Sequence, residues 1–181
     1  MSPRVAILVP CYNEETAIGK VVRDFREAMP DAAIYVYDNN SHDQTMARAR
    51  EAGAIVRSEL RQGKGNVVRR MFADIEADLY VLVDGDDTYD ASASPRMVAG
   101  LIAAGADILT ARRIHTDAAA YRMGHVFGNR LLTGLAANLF NVRLGDMLSG
   151  YRVFSRRFVK SFPLTAEGFG IETELTIHAV R

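Results

Sequence analysis

Between Arg4 and Ala111, short apolar runs of strand length alternate with stretches of helical period, and this alternation limits the chain to very few folds. Arg4 to Pro10 (RVAILVP) reads as a buried strand, and Ile18, Val21, Val22, Phe25 and Met29 mark one face of a helix stopped by Pro30. Ala33 to Tyr37 reads as a second strand. A helix from Gln44 to Ala52 ends at Gly53, in the position favoured for a left-handed cap, before a third strand at Ala54 to Arg57. Val67, Val68, Met71, Phe72 and Ile75 line another helix, followed by a fourth strand at Tyr80 to Val83. Ser94-Pro95 starts a helix, Gly105 stops it, and Ile108 to Ala111 gives a fifth strand. The order predicts an α/β fold, a mainly parallel sheet with helices on both faces, whose ligands bind beyond the carboxyl ends of the strands.

The polar residues agree with that rule. The first strand runs into Cys11, Tyr12, Asn13, Glu14 and Glu15; the second into Asp38, Asn39, Asn40, Ser41, His42 and Asp43; the fourth into Asp84, Gly85, Asp86 and Asp87. A few residues after the third come Arg61, Gln62, Gly63, Lys64 and Gly65, where glycines permit close backbone approach and cations suit phosphate. All four clusters fall on one rim. In an extended segment residues two apart point the same way, so Asp84 and Asp86 can present two carboxylates to one point, with Gly85 leaving room between them. Such oxygens suit Mg²⁺ or Mn²⁺, ions that complete their shell with substrate phosphates. The alternative is an acidic surface turn, because Asp-Gly is a common turn dipeptide.

With 181 residues, 49% hydrophobic and 24% charged, the chain fits one well-cored globular domain, 1–181. A single cysteine, Cys11, excludes an internal disulfide and fits a reducing compartment, and no charged-then-apolar leader opens the sequence, so the cytoplasm is expected. The most apolar long window, Val98 to Ala111, falls short of the roughly 20 apolar residues that span a bilayer. Net charge is zero, and no nucleic-acid partner is expected. The charge is uneven, with 12 basic against 17 acidic residues up to Ala111 and 10 against 5 from Arg112 onward, so the later half is the one suited to an anion.

Past Ala111 the alternation loosens. Arg112 and Arg113 open a polar stretch, Val126 to Phe140 reads as a helix with Phe127, Leu131, Leu135 and Leu139 on its core face, and Gly145 to Phe154 (GDMLSGYRVF) is a polar loop feeding a short strand. Ile171 to Arg181 is helical in pattern without a stop signal, from which the chain is expected to continue past Arg181. His42, His115, His125 and His178 share no metal-ligand spacing and read as surface or packing residues. Cys11 reads as a small strand-end residue without a matched base. Glu172 and Glu174 are either solvated or turned to the cleft, and Arg156, Arg157 and Lys160 form either a membrane-surface patch or a wet helix face.

Taken together, VPCYNE (Val9 to Glu14), DNNSHD (Asp38 to Asp43), RQGKG (Arg61 to Gly65), DGDD (Asp84 to Asp87) and SGYR (Ser149 to Arg152) resemble family 2 inverting glycosyltransferases, in the branch similar to polyprenyl-phosphate (dolichyl-phosphate) sugar synthases. The resemblance implies a GT-A, Rossmann-like fold. It implies a nucleotide sugar, UDP- or GDP-linked, held by Pro10, Tyr12, Glu14, Asp38 and Lys64 with Asp84, Gly85 and Asp86, and Mg²⁺ or Mn²⁺ on Asp84 and Asp86. Asp146 and Arg152 fall on its acceptor-side motif. With Arg112 and Arg113, Arg152 is expected to grip a polyprenyl phosphate at the cytoplasmic membrane face, a peripheral contact. The chain departs from the pattern at Asn39, where a second acidic residue is common, and at Thr88, where mannosyl-phosphate synthases commonly have Gln. Rival readings are transfer to a saccharide hydroxyl, a sugar nucleotidyltransferase, and a nucleotide-sugar binding module without turnover. A nucleotidyltransferase would more naturally carry a glycine-rich turn where this chain has VPCYNE.

Overall fold

The computed structural model describes residues 2–111, 149–163, 168 and 170–179. A six-stranded sheet is built from β1 (Val5–Cys11), β2 (Ala33–Asp38), β3 (Ile55–Ser58), β4 (Leu79–Leu82), β5 (Ile108–Thr110) and β6 (Arg152–Ser155), in the order β3-β2-β1-β4-β6-β5. β1 pairs in parallel with β2 and β4, and β2 with β3, whereas β6 runs antiparallel to both β4 and β5. The expected α/β, mainly parallel architecture is thus present, with one strand reversed.

β1 is apolar without a break because both of its faces are covered. Its even residues Ala6 and Leu8 join Tyr80, Leu82 and Phe154 under α3 (Lys64–Asp74), α5 (Arg156–Ser161) and α6 (Ile171–Ala179). Its odd residues Ile7, Val9 and Cys11 join Val81, Val83 and Val153 under α1 (Ile18–Ala28) and α4 (Ser94–Ala104), with Ala49 of α2 (Thr45–Glu51) at the edge. Ile7, Leu8 and Val9 are fully buried. The two side-chain sets alternate as a period of two requires.

Local signals set the helix ends. Gly105 closes α4 in the left-handed region with φ 58°. Ser94 is the first residue of that helix and not its cap: its hydroxyl donates back to Ala91 O at 2.6 Å, while Asp90 caps the short 3₁₀ turn Ala91–Ala93. His178 packs edge-on against Phe158 and Phe162, the packing role expected of it. Arg156 and Lys160 pair with Glu76, and Arg157 with Asp107, so this basic run is matched by acidic neighbours. The expected helix at Val126 to Phe140 lies outside the described residues. No helix among the described residues is long and apolar enough to cross a membrane.

Strand order reverses between β1 and β4, and the ends of these two strands touch. A Cβ on Gly85 would lie 2.6 Å from Cys11 Sγ, and that sulfur is buried. Gly85→Ala is therefore expected to cost about 1–3 kcal/mol in urea unfolding, through overpacking. In a Cys11→Ala background the same change should cost less. Strictly additive losses would show that the two segments do not press together in this way.

Candidate active site

A cavity of about 520 Å³ opens at the carboxyl ends of β1 and β4, the switch point where such sheets bind ligands. It is lined by Pro10, Tyr12 and Glu14 after β1, Asn39 after β2, Gln62 to Lys64 before α3, and Asp84, Gly85 and Asp86 after β4. A second cavity, of about 640 Å³, collects Asp24, Glu27, Asp87 and Asp90 around Lys20 and shares only Asp87 with the motifs.

The first two loops are built against each other. Asn13, with φ 56°, donates its backbone N–H to Ser41 Oγ at 2.8 Å, and its side chain accepts from His42 N at 2.9 Å. Glu14 N donates to Thr45 Oγ1 and Glu15 N to Asp43 Oδ2, while Asp43 Oδ1 accepts from Thr45. The Thr45 hydroxyl and the Thr45 and Glu15 amides outweigh the opposing effect of burial and hold Asp43 below the usual carboxylate range. Asp38 is buried, and its Oδ2 accepts from Ser41 N. Its Oδ1 is buried with no hydrogen-bond partner among the described residues, an acceptor suited to a ligand donor.

Asn39 organises the glycine-lysine loop. Its Nδ2 donates to Glu59 O and Arg61 O, both at 2.8 Å, and its Oδ1 accepts from Gly63 N at 2.7 Å. Gly63 takes φ 123°, a backbone glycine tolerates, and hands the chain to α3 at Lys64. The departure from an acidic residue at position 39 thus has a structural role: an amide both donates and accepts, which a carboxylate cannot do.

Lys64 stands at the centre. Its Nζ lies 2.6 Å from Asp84 Oδ1 and 2.6 Å from Glu172 Oε1, with the lysine side chain 13% exposed. Burial alone would lower its pKa, but the two carboxylates more than offset this and hold the ammonium above its ordinary value. Glu172, left open between solvent and cleft by sequence, is buried, and its Oε1 meets the Lys64 ammonium. Asp84 is hemmed in from the segment that precedes β6: a Cβ on Gly150 would fall 2.3 Å from Asp84 Oδ2. Asp86 is exposed and its Oδ1 accepts from Thr88 N and Oγ1. Because β4 ends at Leu82, a bend over residues 85–87, and not strand alternation, brings Asp86 to the cavity of Asp84. Burial first, then Asp86, Asp43 and Asp84, push the Glu14 carboxyl up. Burial and the same acidic surroundings push the Cys11 thiol well up, which leaves it a packing group.

Of the residues expected on the acceptor side, Asp146, Arg112 and Arg113 lie outside the described residues. Arg152 is fully buried, its Nε donating to Ser149 O at 2.8 Å and its Nη1 to Thr176 Oγ1 at 3.0 Å. Among the described residues no three His, Cys, Asp or Glu side chains gather into a metal cage. The pair Asp84 and Asp86 suits a cation that takes one or two carboxylates and completes its shell with phosphate oxygens.

Residues 6–162 match the family described as Glycosyl transferase family 2. Protein RfbJ of Shigella flexneri is 52% identical over 122 residues, 67% of this chain and 95% of that protein. Glycosyltransferase AglJ of Haloferax volcanii is 34% identical over 98% of this chain, which spans 58% of that relative's length. A dolichyl-phosphate hexose transferase of the same organism is 31% identical, with 96% and 75% covered. The crystal structure of glucosyl-3-phosphoglycerate synthase from Mycobacterium tuberculosis, in complex with Mn²⁺, UDP-glucose and phosphoglyceric acid, superposes with a TM-score of 0.81 at 27% identity, covering 97% of this chain and 64% of the synthase. By its matched residues, its motif-bearing rim and its sheet, the chain belongs to glycosyl transferase family 2 and has the GT-A fold.

Proposed function

We propose that this domain transfers a hexose, with inversion, from a nucleotide diphospho-sugar to a polyprenyl phosphate, using Mg²⁺ or Mn²⁺. The observation that carries the donor half is the cavity at the strand switch point, whose wall brings Lys64, Asp84 and Asp86 together. Asp38 and the walls formed by Pro10 and Tyr12 suit a nucleoside, with Tyr12 offering a half-exposed ring. Asp84 and Asp86 would hold the metal ion, which when bound supplies positive charge against the departing nucleoside diphosphate. Lys64 adds a second positive charge at the cavity against the same departing group. The solved neighbour that holds Mn²⁺ with UDP-glucose supports the same donor chemistry.

The acceptor half rests on the dolichyl-phosphate hexose transferase among the relatives and on chemistry. A hydroxyl acceptor must lose a proton during attack, whereas a phosphate monoester, with a second pKa of about 6, is largely a dianion at neutral pH and needs cations more than a base. Arg112 and Arg113 are the candidates for direct contact. Arg152, buried on Ser149 and Thr176, is a candidate for positioning the SGYR segment against α6. Asp146 orients these groups or, with a hydroxyl acceptor, serves as base. The phosphoglyceric acid in the solved neighbour favours a second reading, transfer to a hydroxyl of a small phosphorylated acid.

Asp86→Ala should leave the unfolding transition unchanged and weaken UDP binding in Mn²⁺ by about 1.4 kcal/mol or more, tenfold in Kd by calorimetry. Equal affinities would refute the metal assignment. For the acceptor, the full-length protein is offered UDP- or GDP-sugars with either polyprenyl phosphate or hydroxyl acceptors. Transfer to the lipid phosphate is expected, with Arg112→Ala or Arg113→Ala cutting transfer far more than nucleotide binding. Transfer to hydroxyl acceptors alone, abolished by Asp146→Asn and untouched by Arg112→Ala and Arg113→Ala, would replace it with the base mechanism.

A further inference from the structure

The Lys64 ammonium is shared evenly between two carboxylates that differ in their freedom. Asp84 lines the cavity, its side chain 26% exposed, and is held from behind by the close approach of Gly150. Glu172 sits deeper on α6, its side chain 7% exposed, between Ile171 and Leu175 positions that are fully buried in the core. One positive charge serves two negative ones, and Glu172 Oε2 is buried with no partner among the described residues. A buried carboxylate oxygen in that state is costly, so the trio has capacity for more positive charge than the lysine provides. The lysine's base is fixed: it opens α3 directly after Gly63, whose amide is tied to Asn39. Its flexible stem, however, can exchange oxygens by bond rotation alone.

We propose that Lys64 is the resident counter-ion of the Asp84 site and that Glu172 is its second seat: a divalent cation arriving at Asp84 displaces the ammonium, which is retained in the cleft by Glu172. This rests on the reading that Asp84 holds the metal. A divalent ion and an ammonium repel each other on one carboxylate, so the ion's arrival shifts Lys64 fully onto Glu172. Asp84 is then never left as a half-buried, uncompensated charge. The ammonium also stays beside the cavity, where the donor diphosphate will need it. Glu172 acts through Lys64 and is a positioning residue.

Competition gives Lys64→Met an unusual sign. Mn²⁺ alone, titrated by the electron-spin resonance of the free ion, should bind this variant about fivefold or more tightly than the wild type, while loss of a lysine with a purely structural role would leave affinity equal or lower. If Lys64→Met does not fold, Lys64→Gln takes its place. The second seat is read by proton–nitrogen NMR of the ammonium groups. The chain's lysines are Lys20, Lys64 and Lys160, so the Lys64 signal is assigned by its absence in the variant. In the wild type that signal should shift on adding Mg²⁺ and stay protected from exchange. In Glu172→Gln it should be visible without metal and lost when Mg²⁺ saturates. Mn²⁺ binding that persists in Asp84→Asn would overturn the metal reading, and the proposal with it. Binding that needs Asp84 but is not tightened by Lys64→Met, or a Lys64 signal indifferent to Mg²⁺ or to Glu172→Gln, would overturn the proposal alone.

Discussion

A sheet buried on both faces can carry charge only where its strands end, and this confines the chemistry of the molecule to its rims. Ile7, Leu8 and Val9 send side chains alternately into two cores, and neither core admits an ionised group without a partner. The chain therefore keeps its apolar runs unbroken until Cys11, Asp38 and Val83 and places polar residues immediately after. Reversal of strand order between β1 and β4 then separates two of these loops enough to leave a cavity. Glu14, Asp84 and Asp86 bring carboxylates to its wall, and burial first, then the neighbouring aspartates, raise the Glu14 pKa. Such a rim is stable because hydrogen bonds from Thr45, Ser41 and Thr88 spread the charge and because Lys64 stands in its midst.

Much of this was legible from the sequence because the signals are local. Strand and helix positions emerge from apolar period, and the four rim clusters from the polar residues placed after each apolar run. The placement of Pro10, Tyr12, Glu14, Lys64, Asp84 and Asp86 around one cavity needed only the rule that parallel strands end together. Three features were not legible. Strand direction leaves no trace in a period of two, so nothing in RVFS announces that β6 runs backwards. The Lys64–Glu172 contact joins residues 108 apart in sequence, and a glutamate near a helix start has no local mark of burial. Arg152 has the chemistry of a phosphate ligand, but its full burial depends on packing between β6 and α6.

Asn39 illustrates the limit of reading motifs one residue at a time. As a departure from an acidic pattern it points to altered nucleotide contacts, whereas its three hydrogen bonds build the loop that carries Lys64. The residue's effect on the site is then geometric: it fixes where the ammonium can reach.

The reversed strand has a consequence for how such a domain can vary. β5 ends and β6 begins at the same edge, with Thr110 opposite Arg152 and Ala111 N donating to Tyr151 O at 2.9 Å. The chain thus leaves the sheet and rejoins it through a closed gate one hydrogen bond wide. Loop closure costs only about 0.6 kcal/mol more for each doubling of loop length. The length of chain joining those two residues therefore bears on loop closure and not on the register that sets Thr110 opposite Arg152. The strands that carry Asp38 and the Asp84 loop are held instead by their own pairing with β1, a strand that neighbours neither β5 nor β6.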